Sequence, residues 1–264
     1  MEITKDLRLA VLIDADNVPY SNVKPMFQEI AKYGTPTFKR IYADWTKPTV
    51  SGWKKVLLEN AITPIQQYSY SQGKNASDSA MIIDAMDILY SGKVDGFCIV
   101  SSDSDFTRLA TRLREAGMKV IGIGEKKTLI PFITACDKFI YIEILKEEDS
   151  GSDESTADDG GSDETPKRRK SQPKSNKSRA PLNAIDRELI KLVMDSISDL
   201  EDENGWTYLG NLGNLILKKK PDFDSRNYNY PKLLPLIKSL NKFDFDERVS
   251  GKGNIKHVYV KIKE

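Results

Sequence analysis

Two aspartates separated by a single serine, Asp103 and Asp105, follow an apolar run of strand length at residues 95–100. A helical pattern begins directly after them, because Phe106, Leu109 and Leu113 recur at intervals of three and four. The two carboxylates therefore stand where a buried parallel strand ends and a helix begins, which is the edge at which open α/β sheets bind ligands. Capping the helix would require only one such residue, so two acids among three serines favour a functional site.

Other acids occupy equivalent places along the chain. Asp14 ends an apolar run at residues 8–13, and Asp78 opens the helical pattern of residues 79–90. If the first and fourth strands lie side by side, these two acids converge with Asp103 and Asp105 at one edge of the sheet. Carboxylates held a few ångströms apart repel one another, and a bound cation is the usual resolution.

The ligand atoms of this predicted cluster limit its chemistry. Hard oxygen ligands, without histidine or thiolate, select magnesium or manganese. Such an ion polarises a phosphoryl oxygen and lowers the pKa of its bound water. Because no glycine-rich phosphate loop accompanies the acids, the pattern favours metal-assisted phosphodiester hydrolysis over nucleotide binding.

Length and composition limit the remaining classes. The chain has 264 residues, enough for one large or two ordinary domains, and a net charge of +1 that conceals local blocks. His257 is the only histidine and the two cysteines, Cys98 and Cys136, lie far apart, which disfavours a zinc site. The apolar surroundings of the cysteines are typical of buried thiols in a reducing compartment, and no segment has the pattern of a signal peptide or membrane span. We expect a soluble, cytoplasmic protein without a membrane partner.

Predicted strands and helices alternate up to residue 142. This alternation indicates parallel βαβ units in a three-layer α/β/α sandwich, which we assign to residues 1–146. Residues 147–164 then hold nine acids, and residues 166–179 hold seven basic residues with almost nothing apolar. We therefore predict a disordered linker at residues 147–180, acidic in its first half and basic in its second.

Helical periodicity returns in residues 181–264. Amphipathic patterns predict three helices at residues 182–200, 206–219 and 230–240, and short apolar runs at residues 243–246 and 257–262 predict a closing β-hairpin. Three helices and a hairpin are typical of a small winged-helix type of α+β domain. We expect the linker to tether this domain to the first without fixing their relative geometry.

The first domain resembles a known family in three segments. Residues 12–17, which include Asp14-Ala15-Asp16-Asn17, are similar to the first motif of the NYN domain, and residues 74–78 and 100–106 are similar to its second and third motifs. The family belongs to the PIN-like ribonuclease group, and the resemblance covers roughly residues 5–145. It implies a PIN-like parallel sheet and a metal-dependent ribonuclease, with an endonuclease favoured.

The resemblance also implies roles for individual side chains. The implied metal ligands and catalytic acids are Asp14, Asp78, Asp103 and Asp105, which would hold Mg²⁺ or Mn²⁺. Asn17 would support Asp14 by a polar contact, and Lys74 would contact the scissile phosphate. Asp16 fits either a metal ligand or a helix cap.

The second domain resembles the LOTUS (OST-HTH) domain over residues 182–263. The similar segments are Gly205-Trp206-Thr207 and residues 221–233, although Asn229-Tyr230-Pro231 replaces the more usual glycine-containing turn. The family is associated with RNA binding, and in longer forms with helicase binding. The resemblance implies single-stranded or G-rich RNA as the partner, with a protein partner as the alternative.

Four residues around the third predicted helix are candidates for RNA contacts. Tyr228 and Tyr230 could stack on unpaired bases, while Arg226 and Lys232 could meet phosphates. For each tyrosine taken singly, packing on the domain core is an equal alternative.

Two other functions fit parts of the pattern. Asp14-Ala15-Asp16 imitates the nucleophile and acid of haloacid-dehalogenase-like phosphatases, although no lysine-bearing later motif or cap insertion accompanies it. A non-catalytic RNA-binding adaptor with a relic acidic pocket is the alternative outside the enzymes. The RNA-type second domain disfavours the phosphatase, and the full set of acids disfavours the adaptor.

Overall fold

A computed structural model describes residues 6–68, 76–147, 180–249 and 256–263. Lys74 and all but the ends of the predicted linker therefore lie outside the described residues. Within these ranges, no helix combines the length and the apolar character that a bilayer crossing requires.

The N-terminal half alternates strands and helices as the sequence predicts. Its first elements are β1 (Arg8–Asp14), α1 (Val23–Ile30), β2 (Thr35–Ala43), α2 (Trp53–Asn60) and β3 (Thr63–Gln66). They are followed by α3 (Ala76–Tyr90), β4 (Gly96–Val100), α4 (Thr107–Glu115), β5 (Lys119–Gly124), α5 (Ile130–Ala135) and β6 (Lys138–Tyr141).

The six strands form one parallel sheet in the order β3-β2-β1-β4-β5-β6. β1 and β4 are neighbours, with Ile13 opposite Val100. The chain extends from β1 in one direction and from β4 in the other, so the gap between these two strands is the switch point at which such sheets bind ligands. The predicted three-layer α/β/α fold is confirmed.

The core consists of two apolar layers, one on each face of the sheet. Residues 9–13 of β1 and 97–100 of β4 are completely buried, because helices cover both faces of these central strands. This explains why both runs are continuously apolar rather than alternating. The first polar residues after the two runs, Asp14 and Ser101, are still buried, and side chains that reach solvent follow them in the loops.

The C-terminal half is a small α+β unit. Its helices are α6 (Arg187–Ser198), α7 (Leu209–Lys219) and α8 (Leu233–Ser239), and its antiparallel sheet has the order β7-β9-β8, with β7 (Thr207–Tyr208), β8 (Phe243–Val249) and β9 (Lys256–Ile262).

Two of these helices begin three residues later than the sequence pattern predicts. Thr207 and Tyr208 pair with β9 instead of entering α7. Pro231 disfavours helical backbone at Tyr230, and Lys232 remains extended at the start of α8.

The two halves contact each other directly. The backbone N–H of Phe139 in β6 donates to the carbonyl of Pro221 at 2.9 Å, and the Tyr141 hydroxyl donates to Asp222 at 2.8 Å. Arg226 forms two hydrogen bonds with Glu29 of α1, at 2.8 and 2.9 Å. The expectation of a tether without fixed geometry is therefore wrong, since these contacts hold the C-terminal unit against the edge strand of the sheet.

Candidate metal centre

Asp14, the last residue of β1, is the most deeply placed acid at the switch point. Its side chain is only 2% exposed. One oxygen accepts from Asn17 Nδ2 at 2.6 Å and from Ser101 Oγ at 2.8 Å, and the other accepts from the backbone N–H of Asp16 at 3.1 Å. Burial raises the pKa of Asp14 despite these hydrogen bonds. Asp14 thus joins the ends of β1 and β4.

Ser101 extends this connection into the loop that carries the other acids. Its hydroxyl accepts from the backbone N–H of Asp103 at 3.0 Å, and Asp103 Oδ1 accepts from the N–H of Asp105 at 2.9 Å. Buried Phe106 anchors the end of the loop. Gly124 of β5 leaves space for the loop, because a Cβ there would lie 2.6 Å from the Ser101 carbonyl oxygen.

Three carboxylates converge in front of this framework. Oxygens of Asp78, Asp103 and Asp105 lie within 4.8 Å of one another. Asp78 comes from the first turn of α3 and is 9% exposed, whereas Asp105 is exposed. Burial, followed by the negative charges of Asp14, Asp103 and Asp105, raises the pKa of Asp78 to about 6.

The geometry fits a small divalent cation. In an octahedral magnesium site, oxygens on opposite sides of the ion are about 4.2 Å apart, which is comparable to the spread of these three carboxylates. In the described part of the chain, no lysine or arginine forms an ion pair with Asp14, Asp78 or Asp103. The raised pKa of Asp78 results first from burial and then from the neighbouring acids, and a cation bound here would favour its charged form.

The predicted acids lie close together at this edge of the sheet. Oxygens of Asp78, Asp103 and Asp105 lie within 4.8 Å of one another, and the negative charge of Asp14 is the largest cause, after burial, of the raised pKa of Asp78. Asp14 Oδ2 accepts hydrogen bonds from Asn17 and Ser101, and Oδ1 accepts one from the backbone N–H of Asp16. Asp16 itself is exposed.

Sequence reasoning overlooked the part played by Ser101. The only signal was the unusual density of serines between Val100 and Phe106.

Two predicted RNA contacts require correction. Arg226 is enclosed by carboxylates, since it also bonds Asp224 at 2.8 and 3.0 Å, so four of its five side-chain N–H donors are already used within the protein. Tyr228 is 5% exposed and packs against Phe223, so its ring has no open face for a base. Tyr230 is partly buried beside the same core, and Lys232 is exposed.

An aromatic cluster on the C-terminal sheet was also overlooked. The Tyr208 ring lies 5.3 Å from His257 and 5.8 Å from Tyr259, and Arg248 stacks over Tyr259 at 4.1 Å. Tyr208 is 37% exposed. The alternation of aromatic residues in β9 was the available signal.

Two protein-family models match the chain, one over each half. The model of the NYN domain matches residues 8–143, which contain the whole six-stranded sheet and the carboxylate cluster. The chain belongs to the NYN domain family. The model of the OST-HTH/LOTUS domain matches residues 180–255, which contain α6, α7 and α8. The two predicted family resemblances are therefore confirmed, and the two halves are called the NYN and LOTUS domains below.

Two solved structures are similar to parts of the chain. A protein of unknown function from Vibrio parahaemolyticus is 22% identical with a TM-score of 0.44, and the match covers 54% of this chain and 96% of that one. An uncharacterized protein from Nitrosomonas europaea is 33% identical with a TM-score of 0.29, over 37% of this chain and 93% of that one. Neither likeness bears on function. Among curated proteins, none matches the chain.

Proposed function

We propose that the chain is a metal-dependent endoribonuclease that hydrolyses RNA phosphodiester bonds at the cluster of Asp78, Asp103 and Asp105. The observation that carries this proposal is the convergence of three carboxylates, without a basic partner for Asp78 or Asp103 in the described residues, at the switch point of an NYN domain. Mg²⁺ or Mn²⁺ suits this all-oxygen ligand set.

The proposed site residues have different roles. Asp78, Asp103 and Asp105 would hold the ion, which when bound supplies Lewis-acid stabilisation of the phosphoryl oxygens and a more acidic water. Asp14 positions the Asp103 loop through Ser101, and Asn17 keeps the Asp14 carboxylate in place. Lys74, from the NYN motif, is proposed to contact the scissile phosphate.

The LOTUS domain is proposed to bind the RNA, in single-stranded or G-rich form, with Tyr230 and Lys232 as remaining contact candidates. Because contacts with β6 and α1 hold this domain in place, it would present RNA to the NYN domain from a fixed direction. A protein partner for the LOTUS domain is the alternative.

The proposal is tested by cleavage of a circular RNA, which has no ends and therefore reports endonuclease activity alone. Asp103→Asn should lower the metal-saturated rate by at least ~100-fold, the scale of a lost charge-stabilising group. The matched control is Asp87→Asn, which removes the same charge from an exposed position on α3. Wild-type cleavage by the Asp103 variant, or none by the wild-type protein in either metal, would reject the proposal.

The cleavage assay also tests the adaptor, and the structure itself bears on the phosphatase. RNA binding without cleavage in either metal would favour the adaptor. A phosphatase would require Asp14 as an accessible nucleophile, whereas its side chain is 2% exposed and its oxygens accept three hydrogen bonds. Burial of Asp14 therefore disfavours the phosphatase.

A further inference from the structure

A basic cleft lies between the NYN and LOTUS domains. It has a volume of about 690 Å³, and five basic side chains and one carboxylate line it. The NYN domain contributes Arg114, Lys119, Lys138 and Asp137, and the LOTUS domain contributes Lys218 and Lys219. The positive charge of the cleft therefore depends on both domains.

Not all of this positive charge is neutralised within the chain. Arg114 and Lys119 share Asp137, at 3.3 and 3.8 Å. Lys219 pairs with Asp199 at 2.6 Å. Among the described residues, the remaining two lysines of the cleft form no ion pair.

Lys138 is the more buried of these two lysines. It is half-buried, and its ammonium lies 5.8 Å from the centre of the Tyr33 ring. Burial lowers the pKa of Lys138; the negative charges of Asp224 and Glu29 oppose this shift, and the positive charges of Arg226 and Lys119 add to it. An anion in the cleft would relieve the unfavourable burial of this charge. Lys218 is exposed at the rim.

The cleft is separate from the carboxylate cluster. Lys119 and Lys138 are the first residues of β5 and β6, whereas Asp14 is the last residue of β1. Because the strands are parallel, the cleft lies at their N-terminal ends and the carboxylates lie at their C-terminal ends. The six residues of β5 span about 20 Å at the usual rise of a strand. A ligand in the cleft therefore cannot contact the acids unless it is a long chain.

We propose that this interdomain cleft binds phosphate groups of the RNA backbone, several nucleotides away from the bond that is cut. The excess of positive charge identifies a polyanion as the ligand, and the distance to the carboxylates requires an extended one. The inference deepens the proposed function and rests on it for the choice of RNA as the polyanion. Binding in this cleft would require the two domains to stay docked, because separating them would remove Lys218 and Lys219 from the NYN side of the site.

The test is fluorescence anisotropy of labelled, unstructured RNA with the full chain in EDTA, across a range of salt concentrations. Lys218→Glu should weaken binding by roughly fivefold and lower the salt slope by about 0.7, the value for one lost single-strand phosphate contact. Lys138→Gln should act in the same direction. The matched control is Lys55→Glu, a charge reversal at an exposed site on α2, which should change affinity by less than about twofold.

Three outcomes would overturn the inference. Equal weakening by Lys218→Glu and Lys55→Glu would indicate a bulk charge effect, and unchanged binding in both cleft variants would place the RNA elsewhere. An equal loss of affinity for a mononucleotide would identify a soluble nucleotide as the ligand. Circular dichroism checks that each variant is folded. Because binding is measured without metal, a failure of the cleavage proposal leaves this readout intact.

Discussion

Carboxylates collect in two regions of this molecule, and the two collections differ in what neutralises them. At the domain contact, Glu29 and Asp224 surround Arg226 with short hydrogen bonds. Although burial alone would raise the pKa of Glu29, the hydrogen bonds from Arg226 and Lys32 lower it to about 2. At the switch point of the sheet, burial and like charges raise the pKa of Asp78 to about 6.

This difference distinguishes a structural cluster from a functional one. The Glu29 group carries its own counter-charge, so it stabilises the contact between the domains. In the described part of the chain, Asp78 and Asp103 form no ion pair with a lysine or arginine, and burial and like charges disfavour the charged form of Asp78. Similar residue types therefore indicate different roles, and the identity of the neighbouring charges decides between them.

The largest expected effect comes from removing the counter-charge at the domain contact. Arg226→Met should destabilise the docked state by about 3 kcal/mol, because Glu29 would keep only Lys32 and Tyr33 as partners and Asp224 would lose its hydrogen bonds from the guanidinium. Urea unfolding of the full chain should then show a separate early transition as the LOTUS domain undocks. Arg248→Met is the control, since Arg248 pairs with Asp246 at an exposed site. A single unshifted transition in the Arg226 variant would show that this cluster does not hold the domains together.

A smaller effect of opposite sign is expected at the switch point. Asp78→Asn should stabilise the metal-free protein at pH 7 by roughly 2–3 kcal/mol, since a shift of one pKa unit corresponds to about 1.4 kcal/mol. The folded state retains the Asp78 proton up to about pH 6, so this gain should disappear as the pH falls below about 4. Thermal unfolding in EDTA at both pH values measures it. If this substitution destabilised the metal-free protein, the contrast between the Asp78 and Glu29 clusters would be wrong.

The sequence predicts the sheet well because its signals are local. Continuous apolar runs ending in acids, alternating with helical patterns, are typical of buried parallel strands of an α/β fold. The adjacency of β1 and β4 is a condition in the sequence analysis, and the structure supplies it. That adjacency brings Asp14 and the loop of Asp103 to the same edge of the sheet. The hydrogen bond from Ser101 to Asp14 could not be predicted, because it depends on how the two strand ends pack together.

The wrong predictions concern RNA contacts of the LOTUS domain, where the environment of a side chain is set by residues far away in the sequence. Arg226 and Tyr228 carry the side chains expected of an RNA surface, and no local pattern reveals that Glu29 lies opposite Arg226. Likewise, Lys138 and Lys218 belong to one cleft only because the domains dock. Contacts that join distant segments cannot be deduced from the periodicity of either segment.

The most direct test of the proposed metal centre is the pH titration of the Asp78 carboxyl carbon by NMR, with and without Mg²⁺. Without metal we expect a pKa near 6, because burial and the neighbouring acids disfavour the charged form. Saturating Mg²⁺ should lower that pKa by more than about one unit, because a bound cation favours the carboxylate. A metal-free pKa near the ordinary aspartate value of about 3.9, unchanged by Mg²⁺, would contradict the assignment of this cluster as a metal centre.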